Sequence, residues 1–340
     1  MNDPHDGLLA IDTHVDIPWP DGPSPFEDGP RCVDLPKLRR GRVAAVCFAA
    51  YIPQGRRDEA GHRAANGRAR AMLEAILAMA PADGSGGMLA ASAAGVEAAF
   101  AAGRPGIIPV IENGYAIGKD LRHLDEFAGM GIRYMTLTHN GHNEIADAAI
   151  ALPSLEDKEE AYGGLSDFGQ DVVDRMNQLG VLIDVSHASK NSMMQAAQRS
   201  HTPVVATHSC MKALCDHKRN LDDEQLDMLA ATGGLAQITI VSNFLRAKAR
   251  AGDLTVEDIV NHVDYAVKRM GVEHVGIGTD FDGGGGVRGF MNAAETPNLT
   301  AALARRGYGR EEIAKIWGGN FLRLMRKAEA VAEERKAAAD

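Results

Sequence analysis

Eight short, almost continuously apolar runs recur along the chain, and helix-like segments separate them. Runs of this kind indicate strands buried on both faces, as in a parallel sheet that helices cover. A doubly wound open sheet usually carries a glycine-rich first turn, whereas Asp16 is followed by Ile17-Pro18-Trp19-Pro20. We therefore predict a closed (β/α)8 TIM barrel, forming a single domain over residues 1–340, with a helical C-terminal extension from about residue 310. The runs span 11–16, 43–52, 107–113, 134–139, 181–187, 204–208, 235–240 and 275–280.

Helical periodicity and loop-forming residues account for the segments between these runs. Residues 88–92 form a short strand-like run and a helical stretch continues to Phe100, and we interpret the two as an insertion or hairpin-like excursion. Residues 21–31 and 140–164 are predicted to be long loops over the strand ends. Trp19, beside the first loop, is expected to wall the pocket or to join the core. Helices are predicted at 57–79, 121–130, 165–179 with Ser166 as N-cap, 189–199, 222–231 and 255–270.

Composition and charge exclude several classes of protein. A formal net charge of −10 argues against a nucleic-acid partner, because binding phosphate backbones requires concentrated Lys and Arg. No apolar run is long enough to span a bilayer, and the opening residues carry acids where a signal peptide carries Lys or Arg. The four cysteines show no Cys-x-x-Cys spacing, which suits a reducing compartment. We expect a cytoplasmic protein without a membrane partner, whose last segment, 325–340, is a surface or subunit-contact helix.

Six of the eight predicted strands end in a side chain that can bind a metal ion. A single histidine or carboxylate at a strand end is more often a structural residue than a ligand. In a (β/α)8 barrel, however, the carboxyl ends of all strands open onto one mouth, so these residues become neighbours. The sequence therefore predicts one shared site. Its members are His14 with Asp16, Glu112, His139, His187, His208 and Asp280.

Histidines and carboxylates without cysteine suit zinc, manganese or iron in a hydrolytic role. The candidate ligands are too many for one tetrahedral zinc, so two metals are predicted. Glu112 can bridge them, with His14 and Asp16 on one ion and His187 and His208 on the other. Two metal ions bridged by one carboxylate would lie close enough together to share a hydroxide nucleophile.

Residues 208–217 allow a second interpretation, in which they form a compact zinc cluster of their own. Its ligands would be His208, Cys210, Cys215 and His217, but the order H-x-C-x4-C-x-H is not a common ligand spacing.

These motifs carry a family resemblance, which extends from about Leu8 to Phe321. In their order and spacing they resemble the membrane (renal) dipeptidase family within the amidohydrolase superfamily. The motifs are Asp12-Thr13-His14-Val15-Asp16, Glu112-Asn113-Gly114, Leu137-Thr138-His139-Asn140, Ile183-Asp184-Val185-Ser186-His187, Thr207-His208-Ser209, Arg219-Asn220 and Asp280-Phe281-Asp282-Gly283.

The resemblance implies a binuclear zinc dipeptidase with two Zn²⁺ per chain. His14, Asp16 and the bridging Glu112 would bind one zinc, and Glu112, His187 and His208 the other. The remaining roles are implied in the same way. His139 would bind substrate and stabilise the oxyanion, Arg219 with Asn220 would bind the C-terminal carboxylate, and Asp280 would act as general base and acid.

The sequence also departs from the family pattern. Lys218 stands where relatives often have proline, and residues 241–245 lack a tyrosine that some relatives use to hold the carboxylate.

Three functions are considered. The first, which the resemblance implies, is hydrolysis of free dipeptides, L,L and also L,D, by a metal-bridging hydroxide. The second is a related amidohydrolase that cleaves another amide or a lactone, such as an N-acyl amino acid. The third, a non-enzymatic binding barrel, is disfavoured because all the proposed ligands and Asp280 are intact. A homodimer is expected by analogy only.

Overall fold

The computed structural model describes residues 3–17 and 22–338, so Trp19 lies outside the described residues. Eight parallel strands form a nearly closed barrel with helices between them, which confirms the predicted fold class. Hydrogen-bonded neighbours follow the order β1-β2-β4-β5-β6-β7-β8-β9. The strands are β1 (Ile11–Asp16), β2 (Ala45–Tyr51), β3 (Met88–Leu89), β4 (Gly106–Glu112), β5 (Tyr134–Thr136), β6 (Leu182–Asp184), β7 (Val205–Ser209), β8 (Leu235–Ile238) and β9 (Val275–Ile277).

Strand β3 lies outside that order. It pairs in parallel with the start of β4, with Met88 opposite Gly106. The short strand and the helix predicted within 88–100 are therefore confirmed, the helix spanning Ala93–Ala101, and only the hairpin-like alternative is wrong.

Helices cover the outside of the barrel, and most of them lie where periodicity predicts. Ser166 caps its helix as expected, because its hydroxyl accepts a hydrogen bond from the Gly169 N–H at 2.9 Å. The helices are α1 (Leu35–Gly41), α2 (Glu59–Leu77), α3 (Ala93–Ala101), α4 (Leu121–Gly129), α5 (Asp167–Leu179), α6 (Lys190–Arg199), α7 (Asp223–Ala231), α8 (Ser242–Leu245), α9 (Val256–Met270), α10 (Thr296–Arg306), α11 (Arg310–Ala314) and α12 (Asn320–Ala337).

Successive side chains along each strand point to opposite faces of the sheet, and this divides the core into two layers. On β2, Val46, Phe48 and Ala50 pack in the outer layer between strands and helices. Cys47 of the same strand packs with Tyr134 in a separate inner cluster. The buried face of α12 belongs to that inner cluster, so this helix closes the barrel at the end opposite the strand carboxyl termini. Its contributing residues are Phe321, Leu322, Leu324, Met325 and Ala328.

The C-terminal segment is thus more than the surface helix that the sequence predicts. One face of α12 is part of the barrel core, and only the opposite face meets solvent. Within the described residues, every helix is too short or too polar to cross a bilayer.

The barrel closes where the last strand meets the first. The Asp280 N–H donates to the His14 carbonyl at 2.9 Å, and the Asp16 N–H donates to the Phe281 carbonyl at 3.0 Å. The buried Asp12 carboxylate accepts from the Thr279 N–H at 2.9 Å and from its hydroxyl at 2.6 Å. This seam joins two parts of the candidate site directly.

Candidate metal and catalytic site

The sequence-predicted residues gather at the carboxyl end of the barrel, although three lie beyond their strands. His14, Asp16, Glu112 and His208 belong to strands β1, β4 and β7. His139, His187 and Asp280 were predicted as strand ends, which is wrong, because β5, β6 and β9 stop earlier and the three residues lie in the loops that follow. A positive φ at two of these positions, 66° at His187 and 61° at Asp280, explains why strand geometry does not continue there.

Glu112 lies at the centre of four imidazoles. Its Oε1 is 3.1 Å from His187 Nε2, 3.4 Å from His208 Nε2 and 4.0 Å from His139 Nε2. Its Oε2 is 3.7 Å from His14 Nε2. One carboxylate therefore faces all four histidine side chains with both oxygens, the arrangement expected of a bridging ligand.

The four imidazoles form two pairs around Glu112. The ring centroids of His14 and His208 are 3.8 Å apart, and those of His139 and His187 are 4.1 Å apart. The donor atoms of Glu112 with either pair lie close enough to hold one ion. This pairing differs from the division by sequence, which groups His14 with Asp16 and His187 with His208.

Three of the histidines are oriented by a hydrogen bond at the ring nitrogen that points away from Glu112. His14 Nδ1 lies 2.7 Å from the Tyr134 hydroxyl, and His187 Nδ1 lies 3.1 Å from Asn140 Oδ1. His208 Nδ1 lies 2.9 Å from the Thr207 hydroxyl. Partners of this kind fix the ring orientation of metal-binding histidines.

The electrostatics of the cluster are dominated by burial of opposite charges. Burial lowers the pKa of His14, but the facing carboxylates of Glu112 and Asp16 outweigh it and raise the pKa to about 10. Burial, reinforced by Glu112, raises the pKa of Asp16. Burial lowers the pKa of His208 to about 3 and raises that of Asp280 to about 7. The carboxylates of Asp16, Glu112 and Asp280, crowded together in this way, require positive charge among them.

The donor set fits divalent metal ions. His14 Nε2, Asp16 Oδ1 and His208 Nε2 are fully buried atoms without a hydrogen-bond partner. Leaving such groups unpaired is costly, and all three belong to the cluster around Glu112. Imidazole nitrogen and carboxylate oxygen are ligands that zinc accepts.

Asp280 and Asp16 come together beside a glycine. A β-carbon on Gly283 would collide with Asp280 Oδ1 and Asp16 Oδ2. The absence of a side chain at Gly283 is what allows the 280–283 turn to lie against both carboxylates.

Arg219 is a buried cation next to this cluster. It is 3% exposed, its guanidinium lies over the Phe244 ring at 5.5 Å, and its Nη2 donates to the His208 carbonyl at 3.2 Å. Its Nε has no hydrogen-bond partner. Burial lowers the pKa of Arg219 to about 10, so the side chain remains charged at neutral pH.

Asn220 has a more limited role than the sequence suggests. Its Nδ2 donates to the carbonyls of Cys215 and Phe244, both at 2.8 Å, which ties the Arg219 loop to the neighbouring segment. Only Oδ1 remains without a partner. Asn220 therefore has no free side-chain donor for a carboxylate.

A cavity of about 620 Å³ adjoins the site beside the ends of β6 and β7. Arg219, Asn220 and Ser209 line it, together with Lys218. The cavity gives a small molecule room beside Arg219.

The alternative cysteine-containing zinc cluster is not formed. His208 faces Glu112, whereas the Cys210 thiol donates to the Thr239 carbonyl at 3.3 Å and the Cys215 thiol to the Asn243 carbonyl at 3.4 Å. The His217 ring packs against Phe244.

Comparisons with known proteins place the chain among peptidases. Residues 5–339 match the family model described as membrane dipeptidase, peptidase family M19. The chain belongs to this family. It is accordingly a metal-dependent hydrolase acting on peptide bonds.

Individual relatives agree with this assignment. Dipeptidase tcpJ of Claviceps purpurea is 31% identical over 337 residues, which are 98% of this chain and 77% of the relative. The probable dipeptidase PvdM of Pseudomonas aeruginosa has a TM-score of 0.91 at 29% identity, over 97% of each chain. A metallopeptidase of Rhodobacter sphaeroides, bound to a phosphinate mimic of L-Ala-D-Ala, has a TM-score of 0.83 at 26% identity, over 95% of this chain and 100% of its own.

Sequence reasoning missed the residues that support the site. Tyr134 begins β5 and reads as an ordinary core aromatic, yet its hydroxyl reaches both the His14 ring and the Thr13 carbonyl. The Asp282 carboxylate, two residues after Asp280, accepts from the Cys32 and Val33 N–H groups at 2.7 and 3.1 Å. A turn that begins at Asp280 thus also anchors the loop after β1.

Proposed function

We propose that the protein is a binuclear zinc dipeptidase that hydrolyses free dipeptides, L,L and also L,D. The observation that carries this proposal is the position of Glu112, whose two oxygens lie 3.1–4.0 Å from the Nε2 atoms of four histidines, three of them buried. The L-Ala-D-Ala mimic bound by the Rhodobacter relative supports the inclusion of L,D substrates.

Five side chains would hold the two ions. His14 faces Glu112 Oε2, whereas His187 and His208 both face Oε1. On that ground His14 and Asp16 would hold one zinc, His187 and His208 the other, and Glu112 both. When bound, the ions polarise the scissile carbonyl and lower the pKa of a water so that it can attack at neutral pH.

The protein's own groups then bind and orient the dipeptide. Arg219 binds the C-terminal carboxylate, for which its planar guanidinium is suited and its Nε is free. Burial lowers the pKa of His139, so its neutral ring can donate one N–H to the carbonyl oxygen as negative charge develops. Asp280 accepts the proton of the attacking water on its carboxylate and passes it to the leaving amine nitrogen.

This arrangement measures the length of the substrate. Arg219 is buried and hydrogen-bonded to the backbone of His208, so its distance from the cluster is fixed. A dipeptide presents its carboxylate one residue from the scissile bond, whereas a tripeptide would present it one residue too far. We therefore expect dipeptides to be cleaved and tripeptides to be poor substrates.

The direct test is a metal and substrate assay on the purified full chain. Zinc-loaded protein should contain about two zinc ions per chain and should hydrolyse members of an L,L and L,D dipeptide library. N-acyl amino acids and lactones, assayed in parallel, test the alternative amidohydrolase function. Failure to bind zinc, or zinc-loaded protein without activity on any dipeptide, would contradict the proposal.

A substitution at Asp280 tests its assigned role. Asp280→Asn keeps the shape of the side chain but cannot accept the proton, so we expect kcat to fall by at least about 10²-fold. Zinc content, measured by mass spectrometry of the same preparation, should stay near that of the wild type. An unchanged kcat at full zinc occupancy would remove Asp280 from the mechanism.

A further inference from the structure

His139 differs from the other three histidines in how its ring is held. His14, His187 and His208 each have a hydrogen-bond partner at Nδ1. Within residues 3–17 and 22–338, His139 has no such partner, and its Nε2 lies 4.0 Å from Glu112. The orientation of the ring must therefore come from packing.

Two rings supply that packing. His187 lies on one side, with a centroid distance of 4.1 Å and an interplanar angle of 35°. Tyr51 contacts the ring nearly edge-on, with a centroid distance of 4.8 Å and an interplanar angle of 62°. Edge-to-face contacts of this geometry are favourable and directional.

Tyr51 is well placed to fix a neighbour because it is itself fixed. It is the last residue of β2, and its Cα is paired with that of Glu112 across the sheet. Its carbonyl accepts a hydrogen bond from Arg68 Nε of α2 at 3.2 Å, and the rest of its strand is buried. The ring thus extends from a rigid strand end into the mouth of the barrel.

We propose that the Tyr51 ring is a positioning residue for catalysis: it holds the His139 imidazole at the angle from which His139 donates to the developing oxyanion. This inference rests on the proposed function, since it assigns Tyr51 a role through His139. Donors to an oxyanion act only when correctly placed, and an error of about 1 Å can cost up to about 10²-fold in rate.

Kinetics of two Tyr51 variants test the proposal. Tyr51→Leu removes the ring, and we expect kcat to fall about tenfold with little change in KM. Tyr51→Phe keeps the ring and removes only the hydroxyl, so it should retain most of the wild-type kcat. If Tyr51→Phe loses as much activity as Tyr51→Leu, the hydroxyl is the important group and the proposal is wrong.

A matched variant on the other side of the site gives the opposite kinetic signature. Phe244→Leu removes the ring beneath the Arg219 guanidinium, so it should raise KM and leave kcat nearly unchanged. Equal effects of Phe244→Leu and Tyr51→Leu on both constants would indicate general loosening of the barrel mouth and would overturn the proposal.

A double-mutant cycle shows whether Tyr51 acts through His139. In the His139→Gln background, Tyr51→Leu should have almost no further effect on kcat, because the group that it positions is gone. Additive losses in the double variant would show that Tyr51 acts independently of His139.

A measurement without turnover separates this proposal from the proposed function. In protein with ¹³C-labelled histidine, the His139 Cε1–H resonance, assigned with His139→Gln, should shift and broaden in Tyr51→Leu but not in Tyr51→Phe. An unmoved resonance in Tyr51→Leu would refute the positioning role even in an active enzyme. A shifted resonance would support the positioning role of Tyr51 even if the protein cleaved no dipeptide. A lack of dipeptide cleavage would refute only the proposed function.

Discussion

Gly283 shows how one missing side chain shapes the site at the scale of a residue. Its backbone conformation is open to any residue, because its φ is not among the positive values, but its position against Asp280 and Asp16 excludes a β-carbon. We predict that Gly283→Ala displaces these carboxylates and lowers kcat/KM by about 10- to 100-fold. The measurement is steady-state dipeptide hydrolysis together with zinc content.

Gly67 provides the control for that substitution. It lies in α2 with open space where its β-carbon would be. Gly67→Ala should leave kcat/KM unchanged and stabilise the fold by about 0.5–1 kcal/mol, the usual gain from replacing glycine inside a helix. Activity in Gly283→Ala equal to that of Gly67→Ala would contradict the steric argument.

Tyr134 carries a second prediction at the same scale. Its buried hydroxyl lies 2.7 Å from His14 Nδ1 and donates to the Thr13 carbonyl at 2.9 Å, so Tyr134→Phe removes an orienting partner while keeping the ring. We expect zinc affinity to fall by about 10- to 100-fold, as is typical for such partners. Competition with a chelator measures this affinity.

Tyr265→Phe is the matched control for Tyr134→Phe. In the wild type, the Tyr265 hydroxyl donates a hydrogen bond to Asp223 Oδ1 at 2.7 Å on the surface of α9, away from the cluster around Glu112. Zinc affinity should therefore be that of the wild type. The same affinity in both variants would show that the Tyr134 hydroxyl does not tune His14.

At the scale of elements, helix α9 holds the loops around Arg219 through one histidine. The Met211 N–H donates to His262 Nδ1 at 3.0 Å, so Nε2 carries the proton and donates to the Leu245 carbonyl at 3.0 Å. Met211 begins the loop that leads to Arg219, and Leu245 ends α8, which carries Phe244. Neutral His262 thus links the loop that leads to Arg219 with helix α8 through two hydrogen bonds.

This geometry predicts an acid-sensitive contribution to stability. Burial lowers the pKa of His262 below 6.5, so the unfolded chain takes up a proton at a higher pH than the folded one. The contribution of His262 is therefore full above about pH 6.5 and is lost as the pH falls toward the folded pKa. Urea unfolding of wild type and His262→Gln at pH 7.5 and 5.5 should show that the substitution destabilises the fold less at pH 5.5 than at pH 7.5. An equal destabilisation at both pH values would contradict the prediction.

Elements that repeat could be predicted from sequence, whereas contacts between elements could not. The barrel follows from alternating apolar runs and helices, and the convergence of His14, Glu112 and His208 follows from the barrel. Helix α1 was missed because it is short, although Asp34 caps it by accepting from the Lys37 N–H. The pairing of Tyr134 with His14 joins strands that are far apart in the sequence, so no local pattern announces it.

At the scale of the whole molecule, α12 fills the barrel end that faces away from the site. Leu324 is fully buried in the inner cluster. Leu324→Ala should therefore cost about 2–5 kcal/mol of unfolding free energy while leaving kcat of the folded enzyme unchanged. Glu333→Ala, on the exposed face of the same helix, should change stability by less than about 0.5 kcal/mol. Denaturant titration compares the two, and similar costs would mean that α12 is only a surface helix.

The seam between β9 and β1 also has a consequence for synthesis of the protein. A ribosome releases His14 and Asp16 early, but Asp280 and the Thr279 that pairs with Asp12 emerge only when most of the chain has been made. Until then the first strand is an open edge, and the proposed metal ligands lack the proposed proton acceptor. We therefore expect peptide cleavage only once β9 has closed the barrel against β1.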